Sequence, residues 1–414
     1  MLNRARERMA PVYTNNQLIG RSLSIGCVAV EITQRCNLDC TLCYLSEHSE
    51  SVSDIPIEEV FRRLDEVKST YGERTSVQIT GGDPTLRKHH ELVEIVRYAR
   101  DLGLFPALFT NGIAASRKLL TDLAAVGLCD VAFHVDTTQQ REGFDSELAL
   151  NEIREEYLQR AAGLGLMVMF NTTVHRDNFH EIESLVEFFV GHADEIGLAS
   201  FQLQAETGRG VWGSRDEEIS LASVKRRIDK RAAASMPWEL IRIGHPKCHN
   251  YLPTLTINGR LYPLIDDQNL FTEFVEAFSG RHADRRLGKW QVIANYLLVM
   301  LRQPVWLGKF FIYVAQSLWR ARRDLWRSKG RVAQISFFVQ NFMDASELDQ
   351  ERVGACSFMV MTADGPVSMC EHNANRDEYI LKPITFRRKN GELARFDPLQ
   401  GRNTRREAPA RKSA

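Results

Sequence analysis

The sequence predicts an α/β protein, a partial (β/α)6 barrel followed by a C-terminal α+β auxiliary region, and three observations predict it. Between residue 27 and about residue 234, short apolar and β-branched runs alternate with segments of 3.6-residue apolar period, giving six strand–helix units. Such alternation implies parallel strands joined by right-handed crossovers, and six units rather than eight imply a barrel left open. Polar residues gather where each strand ends, the face on which such barrels carry their chemistry. Past Pro237 the alternation stops, and the chain turns to a hairpin signal, apolar runs and a basic stretch.

Residues 1–25 read as a partly ordered lead-in. Its charged start has no apolar stretch after it, so no signal peptide is expected. The barrel is expected over 26–236, with strands at 27–33, 76–80, 105–110, 130–135, 166–173 and 199–204. The helices are expected at 56–71, 90–102, 116–126, 146–164, 179–192 and 219–233. The first helix shows the reasoning: Ile57, Val60, Phe61, Leu64 and Val67 fall on one face, and Asp54 or Ser53 is the expected cap.

The first strand leads into Cys36-Asn-Leu-Asp-Cys40-Thr-Leu-Cys43-Tyr44. Eight cysteines scattered over 414 residues would produce this C-x3-C-x2-C spacing with a probability of only roughly a few in a thousand. Three thiolates at that spacing can hold three corners of a cubane iron–sulfur cluster and leave one iron open to a small molecule. Part of a structural zinc site is the alternative. Without export, thiols point to a reducing cytosol rather than to a disulfide framework.

This spacing resembles that of the radical SAM enzymes. The resemblance implies a 4Fe-4S cluster on Cys36, Cys40 and Cys43, with the amine and carboxylate of S-adenosyl-L-methionine on the open iron. It places Leu42 near the adenine, with Tyr44 just beyond. It implies an electron from a ferredoxin or flavodoxin, cleavage to a 5′-deoxyadenosyl radical, and removal of hydrogen from an unactivated carbon.

Gly81-Gly82-Asp83-Pro84 follows the second strand. It resembles the GGEP motif of the same superfamily with Asp for Glu, which implies that it holds the methionyl ammonium. Glycines allow close backbone approach, and an acceptor faces a cation. Alone, the same four residues make a good turn. The shorter Asp leaves both its carboxylate and the backbone carbonyls as candidate acceptors. Asn111, His134, Asp136, Asn171 and Thr173 end the next strands and are candidates for binding ribose, the methionyl carboxylate or substrate, or else caps and turns. Alternation puts His134 and Asp136 on one face of their strand. Gln202 and Gln204 lie on the sixth strand. Gly208-Arg209-Gly210 either brings an Arg to an anionic group or forms a surface turn.

The auxiliary region is expected over 237–385. Cys356 and Cys370 flank a hairpin turning at Asp364-Gly365, so its ends meet at one site. With Cys248, from Gly244-His245-Pro246-Lys247-Cys248-His249, they are candidates for a second 4Fe-4S cluster, and His245, His249 and His372 for a further ligand. A zinc site and unligated buried thiols are the alternatives. Cys27 and Cys129 are expected to be core residues. His-Pro-Lys-Cys, Phe342-Met-Asp, Arg352-Val-Gly-Ala-Cys356 and Asp364-Gly365 resemble the group of tetraether lipid synthase and the pterin-modifying radical SAM methylases. That implies a lipid or other hydrophobic substrate and carbon–carbon bond formation or alkylation. Peptide or small-molecule maturation is the alternative enzyme, because Cys356, Gly365 and Cys370 also loosely resemble the cluster domain of peptide-modifying members. A non-catalytic metal-binding, membrane-associated protein is the rival from another class.

Residues 290–331 hold Trp290, Trp306, Trp319 and Trp326, four of the six tryptophans. Two apolar runs, 291–301 and 310–319, are each too short to span a bilayer. A basic run follows: Arg320, Arg322, Arg323, Arg327, Lys329 and Arg331. This pattern suits a helix at a membrane surface, or a hairpin packed on the barrel, or a dimer contact. The zero formal net charge suggests no nucleic-acid partner. The expected location is cytoplasmic, peripheral to the inner face of the membrane. Residues 386–414 are expected to form a basic disordered tail.

Overall fold

A computed structural model describes residues 25–210, 213–277, 291, 294, 296–297, 300–388 and 390–400. The lead-in, Trp290, much of the first apolar run and the end of the tail lie outside the described residues.

The six expected strands are β1 (Cys27–Thr33), β2 (Ser76–Gly81), β3 (Phe105–Thr110), β4 (Asp130–His134), β5 (Met167–Val174) and β6 (Ile196–Leu203). They pair in that order, all parallel. The helices that follow them are α1 (Ile57–Tyr71), α2 (His89–Asp101), α3 (Arg117–Ala125), α4 (Asn151–Ala161), α5 (Ile182–Gly191) and α6 (Leu221–Asp229). In α1, Val60, Leu64, Val67 and Tyr71 bury one stripe, and Gly72 ends the helix at φ +95°, a left-handed conformation that suits glycine. Asp54 does not cap this helix. Its carboxylate takes Thr33 Oγ1 at 2.5 Å and Arg35 Nη2 at 2.5 Å, and Pro56 stands at the cap position.

Alternation along the strands separates two environments. Val28, Val30 and Ile32, with Val77, Ile79, Val131, Phe133, Phe170 and Phe201, point outward into the main apolar core beneath the helices. Ala29 and Glu31, with Gln78, Thr80, Ala132 and His134, point inward. Small Ala107 and Ala132 with Met169 fill the floor of the barrel, and the polar residues stand above them.

The partial barrel of six units and its C-terminal α+β region are as expected, but the region's strands join the same sheet. The sheet has 11 strands. β7 (His249–Ile257) and β8 (Arg260–Pro263) form a hairpin, β9 (Ala333–Asn341) pairs parallel to β6, and β10 (Phe358–Thr362) pairs parallel to β1. β7 lies antiparallel to β9, and β11 (Gly365–Ser368) antiparallel to β10. The sheet curls until its flanks meet through side chains. Phe358 of β10 lies 5.6 Å from Phe338 of β9 and 5.1 Å from His249 of β7, ring centroid to centroid.

Further helices are α7 (Gln268–Ala277), α8 (Pro304–Arg327), α9 (Gln350–Gly354), α10 (Met369–Ala374) and α11 (Arg376–Ile380). The second apolar run falls within α8. The expected tail is structured at its start: β12 (Ile384–Arg387) pairs antiparallel with β13 (Leu393–Phe396), and Ser53 N donates to the Pro398 carbonyl.

Candidate active site

The loop after β1 carries Cys36, Cys40 and Cys43, and all three line a cavity of about 220 Å³ at the C-terminal ends of the strands. The loop is fixed at its base by Arg35, which pairs with Asp54 and donates to the Leu86 carbonyl at 2.8 Å. At its far side Thr41 N donates to the Thr138 carbonyl at 2.9 Å. Burial pushes the thiols of Cys36 and Cys40 up, and neighbouring carboxylates and thiols add to it. Free, these thiols hold their protons at neutral pH, so a metal bound there must displace them.

Gly208-Arg209-Gly210, the segment after β6, packs on this loop rather than forming a free surface turn. A Cβ on Gly208 would sit 2.5 Å from the Cys43 carbonyl oxygen. Arg209 N donates to the Leu45 carbonyl at 2.8 Å, and its guanidinium, beside Cys43, reaches the Leu38 carbonyl at 3.4 Å and the Asp39 carboxylate at 3.4 Å.

The glycines after β2 serve a close approach. Gly81 has φ +138°, and a Cβ there would lie 1.9 Å from the Thr33 carbonyl oxygen. A Cβ on Gly82 would lie 2.2 Å from the Arg35 carbonyl oxygen. The end of β2 is thus pressed against the start of the cysteine loop, and Tyr44 closes the contact by donating to the Gly81 carbonyl at 2.7 Å.

Asp83 does not face the cavity. It is fully buried and accepts from Thr85 N at 3.0 Å, Thr110 Oγ1 at 2.8 Å, Asn111 N at 2.8 Å and the Thr85 hydroxyl. Its carboxylate ties β2 to β3, because Asp is too short to reach past the turn and its backbone donors satisfy it locally. Gly81 and Pro84 also lie off the cavity wall, while Gly82 lines it.

Leu42, Tyr44, Asn111, His134, Asn171 and Thr173 all line the cavity. Asn111 Nδ2 donates to Asn37 Oδ1 at 2.6 Å and lies 3.9 Å from Cys36 Sγ. His134 Nε2 lies 2.7 Å from Asp136 Oδ2 and 3.2 Å from Thr173 Oγ1. Burial alone would lower the His134 pKa, but the Asp136 carboxylate beside it reverses the sign and raises it. Asp136 itself is off the wall and fully buried. It accepts from Thr138 N at 3.0 Å and Thr173 N at 2.8 Å, and it stays well below the usual carboxylate range because His134 and these donors outweigh its burial. Of the expected pair, His134 meets the cavity and Asp136 positions it. Gln202 lines the wall, whereas Gln204 donates to the Gly213 carbonyl at 2.8 Å.

Sequence reasoning missed Glu31, Thr80, Gln340 and Asn373, which also line the cavity. Glu31 had a signal, an acid at an inward position of an apolar strand. Its partner Arg376, at 2.8 Å and itself 3% exposed, had none, because it lies 345 residues away.

Cys248, Cys356 and Cys370 lie off the cavity wall, with Cys356 and Cys248 both near enough to Cys370 to act on its charge. Burial pushes the Cys370 thiol up to about 12, and the neighbouring Cys356 and Cys248 contribute. Cys356 donates to the Phe358 carbonyl at 2.9 Å, and Cys248 Sγ accepts from Arg352 Nε at 3.3 Å. His372 is not with them. It stacks on Tyr379 at 5.0 Å and faces Glu31. His249 is close in space, with its Nε2 3.2 Å from Ser357 Oγ. Among the described residues no group of three or more His, Cys, Asp and Glu side chains converges on a single metal ion. Thiols on separate irons of a cluster need no such convergence, so this bears on a mononuclear zinc site and not on a cubane. None of the eight cysteines is in a disulfide. Cys27 is buried as expected, while Cys129 is half-buried just before β4.

Residues 30–189 match the Radical SAM superfamily. That stretch, which holds Cys36, Cys40 and Cys43, is what carries the likeness to this superfamily. The PqqA peptide cyclase of Bradyrhizobium diazoefficiens is 30% identical over 184 residues, covering 42% of this chain and 46% of that protein. The 7,8-dihydro-6-hydroxymethylpterin dimethyltransferase of Methanocaldococcus jannaschii is 26% identical over 186 residues, 44% of this chain and 36% of that one. The Fe-coproporphyrin III synthase of Methanosarcina barkeri is 27% identical over 212 residues, 49% of each. The chain therefore spans half or less of the length of these relatives. The SuiB protein of Streptococcus suis bound to S-adenosylmethionine aligns with a TM-score of 0.38 and 19% identity over 49% of this chain and 46% of that one. Radical SAM proteins use a 4Fe-4S cluster and S-adenosylmethionine. Three half-buried thiols on one loop, open to a cavity ringed by Thr80, Asn111, Asn171 and Thr173, are a donor set that fits both.

Proposed function

We propose that this chain is a radical SAM enzyme whose cluster sits on Cys36, Cys40 and Cys43. The observation that carries the reading is that these three thiols open to a cavity walled by the ends of β1 to β6. When bound, the cluster and S-adenosylmethionine would supply a 5′-deoxyadenosyl radical that takes hydrogen from an unactivated carbon. The chain's own share is placement. Gly82 and the backbone around it offer carbonyl acceptors to an ammonium, with Asp83 stiffening the turn behind them. Asn111, Asn171 and Thr173 offer donors and acceptors to ribose and carboxylate, and Leu42 offers an apolar face to adenine. Arg209 and its two glycines hold the cysteine loop and shield Cys43 from water. His134, kept protonated more readily by Asp136, presents a cation or a proton donor to the substrate side.

The substrate is proposed to be a lipid or other hydrophobic molecule, alkylated or joined at a saturated carbon. Leu38, Phe109, Leu203, Phe342, Phe358 and Met369 supply an apolar wall for it. Peptide or small-molecule maturation is the second reading, favoured by the names of the peptide cyclase and the pterin dimethyltransferase among the relatives. A ferredoxin or flavodoxin would supply the electron. Cys248, Cys356 and Cys370 are proposed to hold a second 4Fe-4S cluster. The nearness of Cys356 and Cys248 to Cys370 supports it, and His245 and His249 are the candidates for a further ligand.

The test is iron and sulfide content of the anaerobically reconstituted protein, together with release of 5′-deoxyadenosine on reduction. About eight irons would fall to about four when Cys36, Cys40 and Cys43 are replaced by Ala, and 5′-deoxyadenosine release would vanish. Iron content unchanged by replacing Cys248, Cys356 and Cys370 would remove the second cluster. No 5′-deoxyadenosine from the loaded, reduced wild type would leave a non-catalytic metal-binding protein.

A further inference from the structure

The outward face of α8 plays no part in the cavity. Val305, Ile312, Trp319 and Trp326 recur every seven residues, 74%, 62%, 68% and 84% exposed. Phe311 and Leu318, 58% and 54% exposed, widen the stripe. The opposite side of α8 is well held. Trp306 is buried and donates to the Leu270 carbonyl at 3.3 Å, and Asp324 accepts from Asn258 at 3.1 Å and from Tyr262 at 2.7 Å. The helix therefore has one packed face and one apolar face turned to the outside. A surface helix ordinarily turns its polar side outward, and an apolar stripe of this extent marks an interaction site.

Charge decides the partner. From 304 to 331 the basic residues are Lys309, Arg320, Arg322, Arg323, Arg327, Lys329 and Arg331, and the single acid, Asp324, is buried. A second copy of this helix laid on the stripe would bring arginines against arginines with no acid to answer them. Lys309 and Arg320 already pair with Glu273 and Asp266, and an anionic bilayer surface would answer the arginines left on the outer side, Arg322, Arg323 and Arg327. Arg322 already lies over the Trp319 ring at 4.2 Å, leaving an aromatic body and a cation side by side on the outer face. No helix among the described residues is long and apolar enough to cross a membrane.

We propose that α8 docks in the plane of an anionic phospholipid surface. Val305, Ile312, Trp319 and Trp326 enter the headgroup boundary, and Arg322, Arg323 and Arg327 meet the phosphates. This holds whether or not the barrel performs radical chemistry, because no residue of α8 lines the cavity.

The experiment is co-sedimentation of the full-length protein with phosphatidylcholine vesicles, with and without phosphatidylglycerol, alongside light scattering of the protein alone. Wild type is expected to bind the phosphatidylglycerol vesicles, with a blue shift of tryptophan emission, and to release from them at high salt. R322E/R323E should weaken binding roughly tenfold or more, since each basic residue near such a surface contributes about fivefold and two are lost. W319S/W326S should weaken it too, with melting temperature unchanged for both variants because all four residues are exposed. If W319S/W326S fails to fold, R322E/R323E decides alone. Equal binding by R322E/R323E and wild type, or no preference for phosphatidylglycerol, would overturn the proposal. So would a stable dimer in solution that W319S/W326S converts to monomer while vesicle binding stays at the level of a non-binding control.

Discussion

Arg376 holds the C-terminal region against the cysteine loop, and its replacement by Met should destabilise the protein strongly. Its guanidinium is 3% exposed, pairs with Glu31 at 2.8 Å, donates to Gln34 at 3.2 Å and Asn373 at 3.0 Å, and covers the Tyr44 ring at 4.7 Å. Burial alone would raise the Glu31 pKa. Arg376 reverses this and, with His372 and Gln34, holds it at about 2 against an ordinary value of 4.5. A gap of that size corresponds to about 3 kcal/mol of stability. Because the folded value lies below the unfolded one, the contribution is complete above about pH 4.5 and fades as pH falls toward 2. Removing Arg376 alone leaves a buried carboxylate without its cation, a change that costs about 3 to 5 kcal/mol in comparable settings. E31Q/R376M removes both charges and should recover more than half of that loss. Urea unfolding of the apo protein at pH 7 measures all three. An R376M loss below about 1 kcal/mol, or a double variant no better than R376M, would refute the reasoning.

Gly81→Ala should cost more than about 3 kcal/mol, since a left-handed residue there would also drive its Cβ into the Thr33 carbonyl. Gly143→Ala, with φ +83° and nothing within 4 Å, should cost only about 1 kcal/mol, and paired melting curves compare the two. Asp83→Asn should lower the melting temperature and not just weaken S-adenosylmethionine binding, because either orientation of the amide turns a donor toward a backbone N–H, that of Thr85 or that of Asn111. His134 should titrate above its ordinary value by NMR, and Asp136→Asn should bring it down. The stability His134 contributes is full below about pH 6.5 and is lost as pH rises through its folded value. Arg209→Gln should shift the midpoint potential of the reconstituted protein downward, since it removes a cation beside Cys43 that favours the more negative reduced state.

Local signals made the first half of the barrel readable. Strand β3 lies at 105–110 as expected, because Phe105, Phe109 and Thr110 favour extended backbone and Asn111-Gly112 ends it sharply. Helix α4 is shorter than expected, starting at Asn151 rather than near 146. There Glu147 turns inward to pair with Arg154, both fully buried, so the residues before Asn151 follow that pair instead of the helix period. The strands β9 and β10 carry the same alternation as the others, but nothing local says that their partners are β6 and β1. Parallel pairing is set by the whole sheet's curvature and by aromatic contacts such as Phe338 with Phe358, which no window of the sequence contains. In the site, residue type and place at a strand end point to Asn111, His134, Asn171 and Thr173, which line the cavity. They could not say which way a carboxylate turns, and both Asp83 and Asp136 are claimed by backbone donors before any ligand can reach them.

That arrangement changes what the two strand-end carboxylates are for. Asp83 and Asp136 are each buried at a strand end, and each accepts a backbone N–H from the neighbouring strand end or the turn behind it. The two carboxylates act as fixed pins that keep Asn111 and His134 at defined places on the cavity wall. Around the cysteine loop, three distant segments do the same work. The end of β2 presses on it through Gly81 and Gly82, the segment after β6 through Gly208 and Arg209, and α11 through Arg376 over Tyr44. Each segment reaches the loop by backbone approach or a buried ion pair, and neither tolerates a small displacement. A loop held from three sides in this way is ordered by the fold before any metal arrives, so the ordering entropy is met by the fold rather than by a cluster.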